Sequence, residues 1–194
     1  MEILSYEWMM AHARNPADHL TQAFAGVIHT SRRNHSLETM EILGLAEDSF
    51  ESLMESYFPG ALQNAGMALP SGPAAPGCEA MRGEEFGDLL DLLLEYRSSP
   101  DKESEWLAFA IATACMGNDH LYQDMGLPNR QILSGLLEAY FPVLFARNSG
   151  NMKWKKFFYK QLCDRSGVRA CRAPSCAVCG DYLKCFGPEE GPAN

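Results

Sequence analysis

Four cysteines fall within fifteen residues near the end of the chain. They are Cys171, Cys176, Cys179 and Cys185, in the stretch CRAPSCAVCGDYLKC, with spacing C-x4-C-x2-C-x5-C. Thiolates are soft, polarisable donors that favour iron–sulfur clusters, zinc and copper(I). Two cysteines separated by two residues can both turn toward one centre, and Pro174 and Gly180 suit a chain that wraps tightly. A short segment with no apolar core of its own is ordered mainly by the metal it binds. Seven cysteines in all, four of them clustered, suit metal binding in a reducing compartment better than a disulfide scaffold.

Structural zinc sites usually pair two close-ligand knuckles separated by a dozen or more residues. Here a single C-x2-C is flanked closely by the other two cysteines, which is nearer to cubane or ferredoxin-type ligation. The spacing therefore favours an iron–sulfur cluster of 4Fe–4S or 3Fe–4S type, with structural zinc and no metal as the open alternatives. Two further ligand candidates are Cys163, which ends a basic helix, and His120 in the turn GNDHLYQD. Each has a plain structural alternative, a helix-terminal core cysteine and a histidine bonded to backbone. Cys115 reads as a buried, inert thiol on an apolar helical face, and Cys78 as an incidental loop cysteine. No dinucleotide fingerprint, phosphate loop or nucleophile–base arrangement occurs, so a carrier is expected and not an enzyme.

Charge is unevenly spread around this motif. The net charge is −9, yet residues 145–172 hold eight of the sixteen Lys/Arg and one acid, Asp164. Residues 1–144 hold seven Lys/Arg against twenty-one Asp/Glu. An acidic body thus leads through a basic neck to the cysteines, which argues against a nucleic-acid binder. Lys153, Lys155, Lys156, Lys160, Arg165, Arg169 and Arg172 would offset a thiolate-bound cluster and steer anions toward it, or else form a solvated helix face. The opening MEILSYEWMMAHARN lacks a basic start and an apolar run, and Trp106–Met116 is too short to span a bilayer. A soluble, cytoplasmic protein is expected.

The elements that must position the cysteines read as helices. Apolar residues recur at helical spacing at Leu20–Ile28, Phe50–Phe58, Phe86–Leu94, Trp106–Ala114 and Ile132–Tyr140, and MKWKKFFYKQLC (152–163) sets lysines against aromatics. The pattern predicts an all-α fold, a compact helical bundle with an irregular cysteine-rich C-terminal segment. Gly44-Leu45 before LMESYFP and Gly126-Leu127 before LLEAYFP suggest a duplicated two-helix unit. Residues 66–83, rich in Gly, Pro and Ala, read as a mobile linker between the halves. The division expected is a helical domain over 1–163 and a cluster-binding segment over 164–194. The cysteines would sit on a mobile end, away from the bundle, where another protein could reach them, and the tail from Gly187 would fray.

Several stretches together resemble the NifQ family of nitrogen-fixation proteins. They are the intact C-x4-C-x2-C-x5-C motif, ACMGNDHLYQDMGL (114–127), NMKWKKFFYKQLC (151–163) and CFGPEE (185–190), with a looser match at YFPG (57–60). The resemblance implies a metallochaperone that carries an oxygen-sensitive iron–sulfur cluster, acquires molybdenum as a Mo–Fe–S cluster, and donates it for nitrogenase iron–molybdenum cofactor biosynthesis. It implies Cys171, Cys176, Cys179 and Cys185 as cluster ligands, and the scaffold NifEN with dinitrogenase reductase as partners. The rivals are a zinc-stabilised interaction module and an iron–sulfur electron-transfer protein.

Overall fold

The computed structural model describes residues 2–34, 43–66, 78–167 and 178–189, without the side chains of 32–34 and 78–83. Among the described residues there are eleven helices and no strand, so the all-α expectation holds. The helices are α1 (Tyr6–Ala11), α2 (His19–Asn34), α3 (Glu47–Tyr57), α4 (Ala61–Asn64), α5 (Cys78–Glu95), α6 (Lys102–Cys115), α7 (Leu121–Asp124), α8 (Arg130–Tyr140), α9 (Pro142–Arg147), α10 (Trp154–Ser166) and α11 (Tyr182–Phe186). No helix among them is long and apolar enough to cross a membrane.

Local chemistry sets many of the boundaries. Ser5 accepts the Trp8 N–H at 3.1 Å to start α1, Asp101 accepts the Ser104 N–H at 2.8 Å to start α6, and Asn129 accepts the Ile132 N–H at 3.0 Å to start α8. Pro142 opens α9, where its missing N–H costs nothing. Gly167 closes α10 in the left-handed region at φ 68°.

α6 is the central element. Trp106, Leu107, Ala108, Ala110, Ile111, Ala112, Ala114 and Cys115 are all buried, so this helix is apolar nearly all round. It packs against α2 and α5, while α1 lies on α2 and α10 lies on α5. Phe24, Phe50, Phe58, Phe141 and Phe158 fill the core with exposures of 2 % or less. α2 crosses the turn after α7 so closely that a Cβ on Gly26 would stand 2.2 Å from the Met125 carbonyl oxygen.

α3 and α8 end alike. Phe58 (φ −133°, ψ 59°) and Phe141 (φ −136°, ψ 55°) leave their helices in the same conformation, each before a proline. The Tyr57 carbonyl accepts the Arg14 N–H at 2.9 Å and the Tyr140 carbonyl accepts the Ser98 N–H at 2.8 Å. Both tyrosine hydroxyls donate to Glu103, to opposite carboxylate oxygens, at 3.1 and 3.4 Å.

Two boundaries differ from expectation. α5 starts at Cys78, so helix takes the last six residues of the expected linker; Glu79, Ala80, Met81 and Arg82 are good helix formers. The rest of that linker lies outside the described residues. α10 runs past Cys163 to Ser166, until Gly167 offers the left-handed stop.

Candidate metal centre

The C-terminal segment reaches the body through the turn that precedes α10. Asn148 folds that turn on itself, its side chain accepting the Met152 N–H and donating to the Met152 carbonyl, both at 2.9 Å. Arg130, at the start of α8, donates to the carbonyls of Asn151 (3.3 Å) and Met152 (2.7 Å) and to the Asn151 side chain (3.0 Å). Its other nitrogen meets Glu189 at 2.7 Å, and both side chains are largely shielded, at 18 % and 8 % exposure. Such a shielded pair, with further hydrogen bonds to backbone, is costly to break from one side.

Cys185 is held directly. Its carbonyl accepts the Lys153 N–H at 2.8 Å, it is half-buried, and it packs against the hydrophobic core together with Phe186. Phe186 stacks on Tyr182 at 4.6 Å, and Gly150 lies against its ring edge, where a Cβ would be 3.4 Å away. The expectation of cysteines remote from the bundle is therefore corrected at Cys185, because apolar burial and backbone bonding seat it on the body. Residues 187–189 do not fray either; the Gly187 N–H bonds the Leu183 carbonyl at 2.8 Å and Glu189 is clamped by Arg130.

Cys179 is half-buried at the entrance to α11, its carbonyl accepting the Tyr182 N–H at 3.2 Å. Neither Cys179 nor Cys185 is in a disulfide. Cys171 and Cys176 lie outside the described residues, as do Arg169 and Arg172. Among the described residues no three His, Cys, Asp or Glu side chains gather as a metal site.

The two further candidates separate along α10. Cys163 is half-buried near its C-terminal end, ten residues beyond Lys153 and so roughly 15 Å along the axis from the backbone that holds Cys185. His120 lies at the opposite end, preceding α7, where its N–H donates to the Gln123 side chain at 3.1 Å and its ring stacks on Tyr122. His120 shares an open cleft of about 630 Å3 with Lys153, Lys155, Lys156 and Lys184. Lys184 directly precedes Cys185, so the cleft adjoins the thiol-bearing segment.

Lys155, one partner of a shielded ion pair, lines this cleft. Lys155 pairs with Asp124, which is 5 % exposed, and also donates to the Gly117 carbonyl at 2.9 Å. Asp124 in turn accepts the Asp119 N–H at 3.1 Å, which fixes the loop before α7. Gly117 leaves room for that carboxylate, since a Cβ there would meet it at 2.6 Å. Cys115 lies beside the pair, and burial pushes its thiol up to about 12 despite the nearby Lys155 charge. It is the inert core cysteine the sequence suggested.

Trp154, Phe157 and Phe158 anchor α10 at exposures of 3 % or less, as its aromatic face implied. The basic face is less free than expected: besides Lys155, Lys160 pairs with Asp164 (2.6 Å) and Arg165 with Glu95 (2.8 Å). The roles of Arg130, Asp124 and Lys184 were not foreseen. Asp124 left one signal, an acid directly before the apolar Met125 and close to Leu121 and Tyr122. Arg130 left none, because its partners lie 21 to 59 residues away.

Comparison with known proteins bears directly on this segment. The family model NifQ matches residues 23–187. The protein named NifQ from Azotobacter vinelandii is 43 % identical over 154 residues, covering 76 % of this chain and 78 % of its own. NifQ from Rhodobacter capsulatus is 35 % identical over 148 residues, covering 76 % and 77 %. NifQ from Klebsiella pneumoniae is 43 % identical over 81 residues, 41 % of this chain and 48 % of its own. No solved structure matches.

Proposed function

The chain belongs to the NifQ family of nitrogen fixation, and on that premise we propose that it is an iron–sulfur metallochaperone that acquires molybdenum and donates it for nitrogenase iron–molybdenum cofactor biosynthesis. The observation that carries this reading is the four-cysteine motif inside the matched span, whose last cysteine follows Lys184 and is bonded through its carbonyl to the Lys153 N–H, two residues that line a lysine-rich cleft. Cys171, Cys176, Cys179 and Cys185 would hold the cluster. The donor set suits one: Cys179 and Cys185 are half-buried thiols outside any disulfide, soft donors of the kind such a cluster takes. When bound, such a cluster supplies iron and sulfide sites able to carry molybdenum as cargo.

The chain's own residues supply anchoring. Arg130 and the Lys153 amide fix residues 185–189, so the last ligand is presented from a rigid base. The reading is of a carrier working in the cytoplasm and not an enzyme, with NifEN and dinitrogenase reductase as recipients and molybdate as the molybdenum source. The matching exits of α3 and α8 support a duplicated two-helix origin for the body.

Protein purified under strict anaerobiosis tests the assignment. A brown chain with iron and acid-labile sulfide, which loses its visible absorption and its molybdenum in Cys176→Ser and Cys179→Ser, is the expected result. A colourless chain holding one zinc would instead make the centre structural, and a reversible redox couple without molybdenum uptake would make it an electron carrier.

A further inference from the structure

We propose that the cleft between the loop before α7, the start of α10 and α11 is a receiving site for a tetrahedral oxyanion, held between Lys153 and Lys156 on one side and Lys184 on the other. The site itself stands on the charge and shape of the cleft. Naming molybdate as its physiological occupant rests on the carrier reading above.

The charges that face the cleft sort into engaged and available groups. Lys155 is taken by Asp124 and the Gly117 carbonyl, and Glu189 by Arg130. Glu85 lies against the Tyr159 hydroxyl, whose proton it helps to retain. Among the described residues no carboxylate pairs with Lys153 or Lys156. Among the described residues Lys184 pairs with one carboxylate, Asp181, in a pair 75 % and 66 % exposed, which water screens and an incoming dianion can displace. Asp119 is the one exposed acid on the rim without such an engagement, and it sits on the far loop.

Three further features favour an anion here. No side chain caps the first turn of α10, so the positive end of a thirteen-residue helix adds to the lysines. Asn118 and His120 line the same space and can donate hydrogen bonds. The loop carrying them is already fixed by the Asp124 carboxylate, so little ordering remains for the ligand to impose.

The position has a consequence for loading. An oxyanion between Lys156 and Lys184 bridges α10 to α11, one residue from Cys185, whose carbonyl already rests on Lys153. The anion is thus concentrated beside the thiols before any metal chemistry takes place.

Equilibrium dialysis of labelled molybdate against metal-free full-length protein tests the proposal, with sulfate and phosphate as competitors. Binding should persist when all four motif cysteines are changed to serine. It should fall at least tenfold in Lys156→Ala/Lys184→Ala and recover in Lys156→Arg/Lys184→Arg. Competition by sulfate assigns the site to the oxyanion class as a whole; selectivity for molybdate assigns it to the cargo. No binding to the parent protein, or binding that ignores the lysines and vanishes with the cysteines, would overturn it. Iron and sulfide content of the anaerobic parent protein separates the two readings: a parent without either loses the carrier role, while the oxyanion site stands or falls on the dialysis of the all-serine variant.

Discussion

Arg130 and Glu189 meet at 2.7 Å across 59 residues of sequence, and this contact ties the end of the C-terminal segment to the start of α8. Both side chains are largely shielded from water, so removing either leaves the other charge buried without its partner. Arg130→Ala should lower global stability by roughly 3 kcal/mol. Amide hydrogen exchange at 183–187 should rise more steeply than that in α6, and the metal-loaded protein should lose iron sooner under chelator. Unchanged exchange in that segment would show that the Lys153–Cys185 backbone bond and Phe186 packing hold it without Arg130.

Cys115 is predicted to be chemically silent. With its thiol pushed up to about 12 by burial, only about one molecule in ten thousand carries the thiolate at pH 8. Alkylation of metal-free native protein followed by mass mapping should label Cys179 and Cys185 and spare Cys115. Cys115→Ala should keep the full metal content.

Burial of Tyr57 and Tyr140 around the shared Glu103 carboxylate makes the body sensitive to alkali. Burial, with Glu103 second, raises Tyr140 to about 12 and Tyr57 further still, from an ordinary value of 10.0. The folded chain therefore keeps protons that the unfolded chain releases above pH 10, so this stabilisation is complete below pH 10 and is lost as pH rises toward 12 and beyond. Denaturant midpoints should fall across that window, and less steeply in Tyr57→Phe/Tyr140→Phe.

Two glycines should respond oppositely to alanine. In Gly26→Ala the new Cβ would overlap the Met125 carbonyl and the Gly126 backbone, where neither neighbour is a side chain able to swing aside. A loss of about 3 kcal/mol or more is expected. Gly87 faces open space in the middle of α5, so Gly87→Ala should gain about 0.5–1 kcal/mol. Urea titration of both variants reads the contrast.

The helical body was open to reading from the chain because its signals are local. Apolar spacing marks α2, α3, α6 and α8, and the buried aromatics of α10 follow from Trp154, Phe157 and Phe158 standing on one face. The cysteine spacing is equally local, and it names the donor chemistry without reference to any fold. The short helices α4, α7 and α9 escaped because a turn of four to six residues holds too little periodicity to register.

What sequence alone determined here is composition at short range: an all-helical chain, a thiol-rich C-terminal stretch and a basic element before it. Tertiary structure decided which lysines stay available, that Lys155 is absorbed by Asp124 while Lys153 and Lys156 face a cleft, and that His120 shares that cleft while Cys163 lies at the other end of α10. The reason is physical. Helix identity depends on neighbours three or four residues apart, whereas the charge state of a surface depends on partners that only folding brings together.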